Sequence, residues 1–272
     1  MKLEDFTAAW DNEPDLNRMQ KVWNLRADEF NDHFRHRESS RRQADVLAYL
    51  TEKGMLFKGS SILDIGCGPG RFTVEFAGQA KQAVGLDISP KMLEHARENA
   101  RQANCDNVFF DMAAWESLDL KERGWVKKFD LVFASMCPGI SSGNALLKMC
   151  QASSGACFMS SFAKREGAVR DELQHILHNR GGEARWGRNI YYAINILFLS
   201  GYYPEITYQD TEWENTWPLE QAVENYTNQF QTDGSDEEAI NKKIRDYLAA
   251  IAADGKVSEK VSSKIAWICW KV

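Results

Sequence analysis

The sequence predicts an α/β fold, a doubly wound and mostly parallel sheet of seven strands with helices on both faces. Three observations predict it. Short apolar or β-branched runs alternate with helix-periodic stretches from residue 61 to residue 162, the pattern of strand, crossover helix and parallel strand. A glycine-rich turn, GCGPG at Gly66 to Gly70, falls where the first strand meets the first crossover helix. An acidic residue, Asp87, ends the second strand, and sheets of this kind bind ligands beyond the carboxyl ends of their strands.

The elements follow in order. Residues 1–56 read as a helical cap, with Trp23, Ala27 and Phe30 on one face and Val46, Leu47 and Leu50 on a later one, separated by the polar hinge HFRHRESSRR. Strands are expected at Ser61–Ile65, Gln82–Leu86, Asn107–Asp111, Phe129–Ser135 and Ala156–Phe162. The crossover helix after the second strand opens with Ser89 as N-cap and Pro90 at its first position. Beyond residue 162 come a charged helix (164–179), the break GGEARWGR, an apolar helix from Asn189 to Ser200 ended by Gly201, and a sixth strand at Pro204–Thr211. A polar helical insertion from Leu219 to Ala253, broken by TDGSD, precedes the last strand, Ser263–Val272. The whole is read as one domain: a cap (1–56), a ligand-binding half (57–162), substrate-side insertions (163–188 and 214–261), and the rest of the sheet core (189–213 and 262–272).

Composition narrows the function. With 272 residues and 44% hydrophobic content, a sizeable core is available. A net charge of −6 argues against a surface that coats duplex nucleic acid, which needs cations against phosphates. The acidic start, MKLEDFTAAWDNEPD, lacks the basic flank and apolar run of a leader, and no apolar stretch is long enough for a membrane span, so a cytoplasmic location is expected. The six cysteines show no C-x-x-C pair and no histidine at zinc-ligand spacing. They are read as reduced thiols, with no metal site.

The loop ILDIGCGPG departs from both common phosphate motifs. A dinucleotide fingerprint needs its third glycine one residue later, and a triphosphate loop needs G-K-[ST], whereas here Arg71 and Phe72 follow Gly70. Asp87 lies at the distance expected of a carboxylate that grips ribose hydroxyls. The ligand is therefore read as a nucleoside held against main chain. Together, ILDIGCGPGRFTVEFA and VGLDISPKMLEHARENA resemble the first two motifs of the class I S-adenosylmethionine-dependent methyltransferases, over residues 60–162 and more loosely in the last two strands.

The resemblance implies roles by position. The Gly66-Cys67-Gly68 main chain would line the methionine moiety, and Asp64 would fix the loop and meet the ammonium. Asp87 would accept the ribose hydroxyls, and Ile88 would pack on the adenine. The family's acidic adenine acceptor falls on Ala114, a departure that leaves the backbone of Ala114 and Trp115 to read the adenine edge; Trp115 is either an adenine cover or a core aromatic. Ser135 and Met136, after the fourth strand, would border the sulfonium.

Acceptor recognition is less legible. The motif S-M-C-P-G lacks the Asn/Asp-Pro-Pro-aromatic signature of amino-methylating relatives. Cys137 as a nucleophile would need a base or cation that the sequence does not supply. Trp23, Phe30, Cys137 and Tyr191 are the substrate-side candidates, with Trp186, Tyr192 and Trp213 as further aromatics. The pairs His175/His178 and His33/His36 are candidate bases or solvated faces, and no catalytic residue is assigned. The expected activity is methyl transfer to a small molecule by in-line displacement. The alternatives are an RNA or protein acceptor, kept open by the basic residues Arg35 to Arg42, and a noncatalytic S-adenosylmethionine-binding module.

Overall fold

The computed structural model describes residues 2–11, 14–33, 37–178, 187–230 and 237–272, with backbone only for 33, 37–40, 178 and 237. Elements run α1 (Leu3–Ala9), α2 (Leu16–Leu25), α3 (Ala27–His33), α4 (Arg37–Glu52), β1 (Ser61–Ile65), α5 (Arg71–Phe76), β2 (Gln82–Asp87), α6 (Pro90–Gln102), β3 (Val108–Met112), β4 (Phe129–Ser135) and α7 (Gly143–Ala152). They continue with β5 (Ser153–Gly167), α8 (Ala168–His178), α9 (Arg188–Leu199), β6 (Glu205–Pro218), α10 (Leu219–Phe230), α11 (Glu237–Ile251) and β7 (Lys256–Lys271).

One seven-stranded sheet is ordered β3-β2-β1-β4-β5-β7-β6. The pairs β1–β2, β1–β4, β2–β3 and β4–β5 are parallel. Side-chain pairs Thr211–Ser263 and Thr216–Ser258 run in opposite senses along β6 and β7, so those two strands are antiparallel. The order reverses at β1, and the glycine loop leaves the sheet there. Strands β1, β2 and β4 are almost wholly buried, as parallel strands covered on both faces must be.

The chain forms two compact units, residues 1–161, 189–207 and 267–272 in the first and 162–188 and 208–266 in the second. The first unit is built round Ile62, Leu63, Phe76, Phe133 and Phe158, with the Phe133 and Phe158 rings stacked at 5.0 Å. The second has its own core, in which Val169, Leu173, Val223, Tyr226, Phe230, Ile244, Leu248 and Val257 are buried together. Burying this apolar set is what fastens α8, α10 and α11.

Three expectations need correction. Strands β5, β6 and β7 are longer than the runs at 156–162, 204–211 and 263–272 because strand periodicity continues beneath their charge. Burial alternates residue by residue through β6 and the first half of β7, with polar side chains turned to water. As a result residues 164–167 are strand rather than helix. Residues 37–42 of the expected hinge are the first turns of α4, while 34–36 and the TDGSD break lie outside the described residues.

Candidate active site

The carboxyl ends of β1, β2 and β4 bring together the three segments singled out by sequence. The turn after β1 is held by Gly66 and Cys67, whose N–H groups both donate to the Leu86 carbonyl at 2.7 and 3.0 Å. Gly66 has a positive φ of 67° and lies so close to the Cys137 thiol that a Cβ there would overlap it. Only glycine satisfies both conditions. Gly70, also left-handed, starts α5 without a side-chain cap.

Two carboxylates flank this turn. Asp64, buried near the end of β1, accepts a 2.6 Å hydrogen bond from Thr73 Oγ1 in the first turn of α5. Burial raises its carboxyl to about 7, with the Asp87 charge adding to the rise and Thr73 opposing it. Asp87, the last residue of β2, accepts from Gly68 N–H through Oδ2 and from Ser89 N–H through Oδ1, both at 2.8 Å. Burial raises its pKa while these amides pull it down. Each oxygen keeps a further lone pair for a ligand hydroxyl. Asp87 thus shapes the loop as well as offering acceptors.

At the end of β4, Met136 has a left-handed backbone, φ 54°, which a side chain of its size rarely adopts. It is held there by its N–H, which donates to the Ser160 carbonyl at 3.0 Å and reaches Ser160 Oγ at 3.2 Å; Ser135 Oγ lies 3.0 Å from the same hydroxyl. Cys137 is half-buried, and burial pushes its thiol up to about 12. A nucleophilic thiolate is disfavoured there.

Residues 56–184 match the family model described as a methyltransferase domain. Across the fold, magnesium protoporphyrin IX methyltransferase from Synechocystis, solved with bound SAH, superposes with a TM-score of 0.57 at 15% identity, covering 94% of this chain and 99% of that one. Residues 56–184, just under half of the chain, thus carry the sequence pattern of a methyltransferase domain, on a fold shared with a methyltransferase. Among curated proteins, it is 34% identical over 87 residues to an uncharacterized RNA methyltransferase of Listeria innocua and 41% identical over 58 residues to the 23S rRNA (uracil(1939)-C(5))-methyltransferase of Pasteurella multocida. These matches take in 32% and 21% of this chain but only 18% and 13% of the relatives' lengths.

Other predicted residues fall in different surroundings. Trp115 is 2% exposed, donates from Nε1 to the Ala145 carbonyl at 3.0 Å and has the Lys148 ammonium 5.5 Å from its ring centroid, the contacts of a core anchor. Ala114 is half-buried beside it. Trp23 and Phe30 pack edge to face at 5.4 Å with the Arg26 guanidinium over both rings. Tyr191 is exposed on α9 and touches Phe6 and Tyr192. Trp213, in the second unit, lies beside Phe162. His175 is exposed on α8, the side chains of His33 and His178 are not described, and His36 and Trp186 lie outside the described residues. Among the described residues no group of three His, Cys, Asp or Glu side chains is placed to hold a metal, and no helix is long and apolar enough to cross a membrane.

Three features escaped the sequence reading. Lys148 donates to the carbonyls of Trp115, Glu116 and Leu118 at 2.9–3.0 Å, using all three of its N–H groups to fasten the turn after β3. Glu116 on that turn has Oε1 buried with no hydrogen-bond partner, near Gly139 and Cys137, and burial raises its pKa. The cap is held by a polar row at helical spacing. Gln20 donates to the Ile88 carbonyl, Asn24 accepts from Ser89 Oγ, Asp28 meets His95, and Asn31 accepts from Asn99, at 2.7–2.9 Å. That stripe is a polar face at positions 20, 24, 28 and 31, distinct from the aromatic one carried by Trp23 and Phe30.

Proposed function

We propose that the chain transfers a methyl group from S-adenosylmethionine to a small-molecule acceptor by in-line displacement. The observation that carries the reading is the pair of carboxylates, buried Asp64 and half-buried Asp87, on either side of a main-chain turn that excludes a side chain at Gly66. Neither forms an ion pair with a described residue. A cationic, hydroxyl-bearing nucleoside matches that donor set. Asp64 meets its ammonium, Asp87 its ribose hydroxyls, and the Gly66–Gly68 main chain its methionine arm. Ile88 takes one adenine face. Glu116, whose free carboxylate oxygen lies two residues after Ala114, takes the adenine amino group that the family assigns to the position of Ala114.

When bound, the cofactor supplies an already activated methyl electrophile. What the chain adds is alignment and dryness. Ser135, Met136 and Cys137 border the path of the acceptor, and the strained Met136 backbone fixes the direction of the carbonyls there. No side chain is assigned to proton removal. Acceptor choice is assigned to the segments outside the common core, 1–56, 163–188 and 214–261. Six free cysteines suit a reducing compartment, hence the cytoplasm.

An RNA acceptor is the second reading, favoured by the short matches to RNA methyltransferases and opposed by the acidic net charge. Transfer of labelled methyl from S-adenosylmethionine into a metabolite extract, with none into total RNA, is the expected outcome. Label in RNA alone would reverse the two readings, and SAH binding without turnover on either pool would mark a binding module.

A further inference from the structure

The turn after β3 is held mainly from α7. Its local bonding is weak: Leu118 N–H reaches the Trp115 carbonyl at 3.4 Å, and Ser117 Oγ reaches the Ala114 carbonyl at 3.5 Å. Lys148, half-buried in the middle of α7, instead donates to the carbonyls of Trp115, Glu116 and Leu118 at 2.9–3.0 Å. Trp115 Nε1 returns a 3.0 Å bond to the Ala145 carbonyl on the same helix. Carbonyls that converge on one point need a donor among them, and bonds from a charged donor are the stronger kind. The same turn presents Glu116. Its Oε1 is buried without a partner, and its two oxygens stand 3.4 and 3.6 Å from where a Cβ on Gly139 would lie. Burial raises its pKa, while its own N–H and the Lys148 charge oppose the rise.

We propose that Lys148 is a positioning residue for base selection: by holding the turn it fixes where the Glu116 carboxylate stands, and so sets how strictly the site prefers a purine bearing an amino group over one bearing a carbonyl in its place. The proposal rests on the assignment of Glu116 to the adenine amino group made above. A carboxylate accepts from an amino group and is repelled by a carbonyl oxygen, so it can tell the two bases apart. That selection holds only while the carboxylate is kept within about 0.5 Å of its place, which demands a supporting group locked by its own bonds. Lys148 touches no part of the ligand and acts through the three carbonyls alone.

The test compares SAH with S-inosylhomocysteine, its deaminated counterpart, by calorimetry on the full chain. The parent should prefer SAH at least tenfold. In Lys148→Met, which keeps the apolar stem and removes the donors, SAH affinity should fall at least tenfold while the inosine compound binds within twofold of its parent value. Lys148→Arg, which keeps a charged donor, should restore most of the preference. Should Lys148→Met not fold, Lys148→Gln, with donors for part of the turn, should narrow the preference at least threefold. A clamp that serves stability alone would lower Tm and leave the ratio of the two affinities at its parent value, and that result in either folded variant overturns the proposal. So does a parent that binds the two compounds equally. A parent that binds neither removes the cofactor reading itself, whereas a parent that prefers SAH, with the preference unchanged in the variants, removes only the role of Lys148.

Discussion

In the second unit a buried carboxylate is met by the chain's own groups, whereas in the first unit Asp64 and Asp87 form no salt bridge with a described residue. Glu259, 3% exposed, accepts from Tyr226 Oη at 2.7 Å and from the Arg170 backbone N–H at 2.9 Å, within the field of positive charge from nearby arginines. Asp64 and Asp87 sit at strand ends and Glu116 on the turn after β3, within the field of Lys148; none forms a salt bridge with a described residue, and all three are raised by burial. A charge whose partner lies in the sequence serves stability. A charge whose partner is missing points to a ligand.

That contrast breaks or sharpens under mutation. The largest effect is expected from Glu259→Leu, which strands Tyr226 and the neighbouring cations and should cost about 3–5 kcal/mol in denaturant unfolding, with SAH affinity of the folded protein unchanged. Loss of affinity without loss of stability would erase the distinction. Gly66→Ala forces a side chain against Cys137 at positive φ and should cost roughly 3 kcal/mol, together with cofactor binding. Asp87→Ala should weaken SAH binding at least tenfold, because two charge-assisted hydrogen bonds of about 1.5–3 kcal/mol each are removed. Unchanged affinity would remove Asp87 from the site.

Asp64 gives a smaller, pH-dependent signature. Its folded value, about 7, lies above the ordinary 3.8, so the folded apo chain holds a proton that the unfolded chain releases. This group's contribution to stability is complete below the ordinary value and is lost as pH rises through 7. A ligand ammonium favours the carboxylate, so binding below pH 7 should release protons, measurable by calorimetry in buffers of different ionisation heat. Asp64→Asn should abolish both trends. Smallest of all, Lys260→Ala removes an exposed cross-strand partner of Glu212 and should not move Tm measurably.

Much of this was legible in sequence where local chemistry decides structure. Strands β1 to β4 fall within a residue of the expected runs because the runs are mostly apolar and, in β1, β2 and β4, almost wholly buried, while β3 at the sheet edge is partly exposed. Ser89 caps α6 through Met92 N–H as its position implies. The outer lengths of β6 and β7 were hidden because a solvated strand face reads as a charged helix or loop when its partner strand is distant in sequence. Glu116, Thr73 and Lys148 acquire meaning only from neighbours that folding brings up, such as the three carbonyls that converge on Lys148. Nothing in the word Ser-Met-Cys announces the left-handed Met136, since the hydrogen bonds that hold it come from Ser160.

The polar row along α2 and α3 sets a rotation as well as a position. An apolar seam tolerates a slip, but Gln20, Asn24, Asp28 and Asn31 each meet a matched polar group opposite. The break between the two helices falls at Arg26. One residue inserted there would swing the later half of the row by about 100°, turning Asp28 and Asn31 away from His95 and Asn99 while leaving Gln20 and Asn24 in register. Length in this stretch is therefore under tighter constraint than residue identity on its aromatic side.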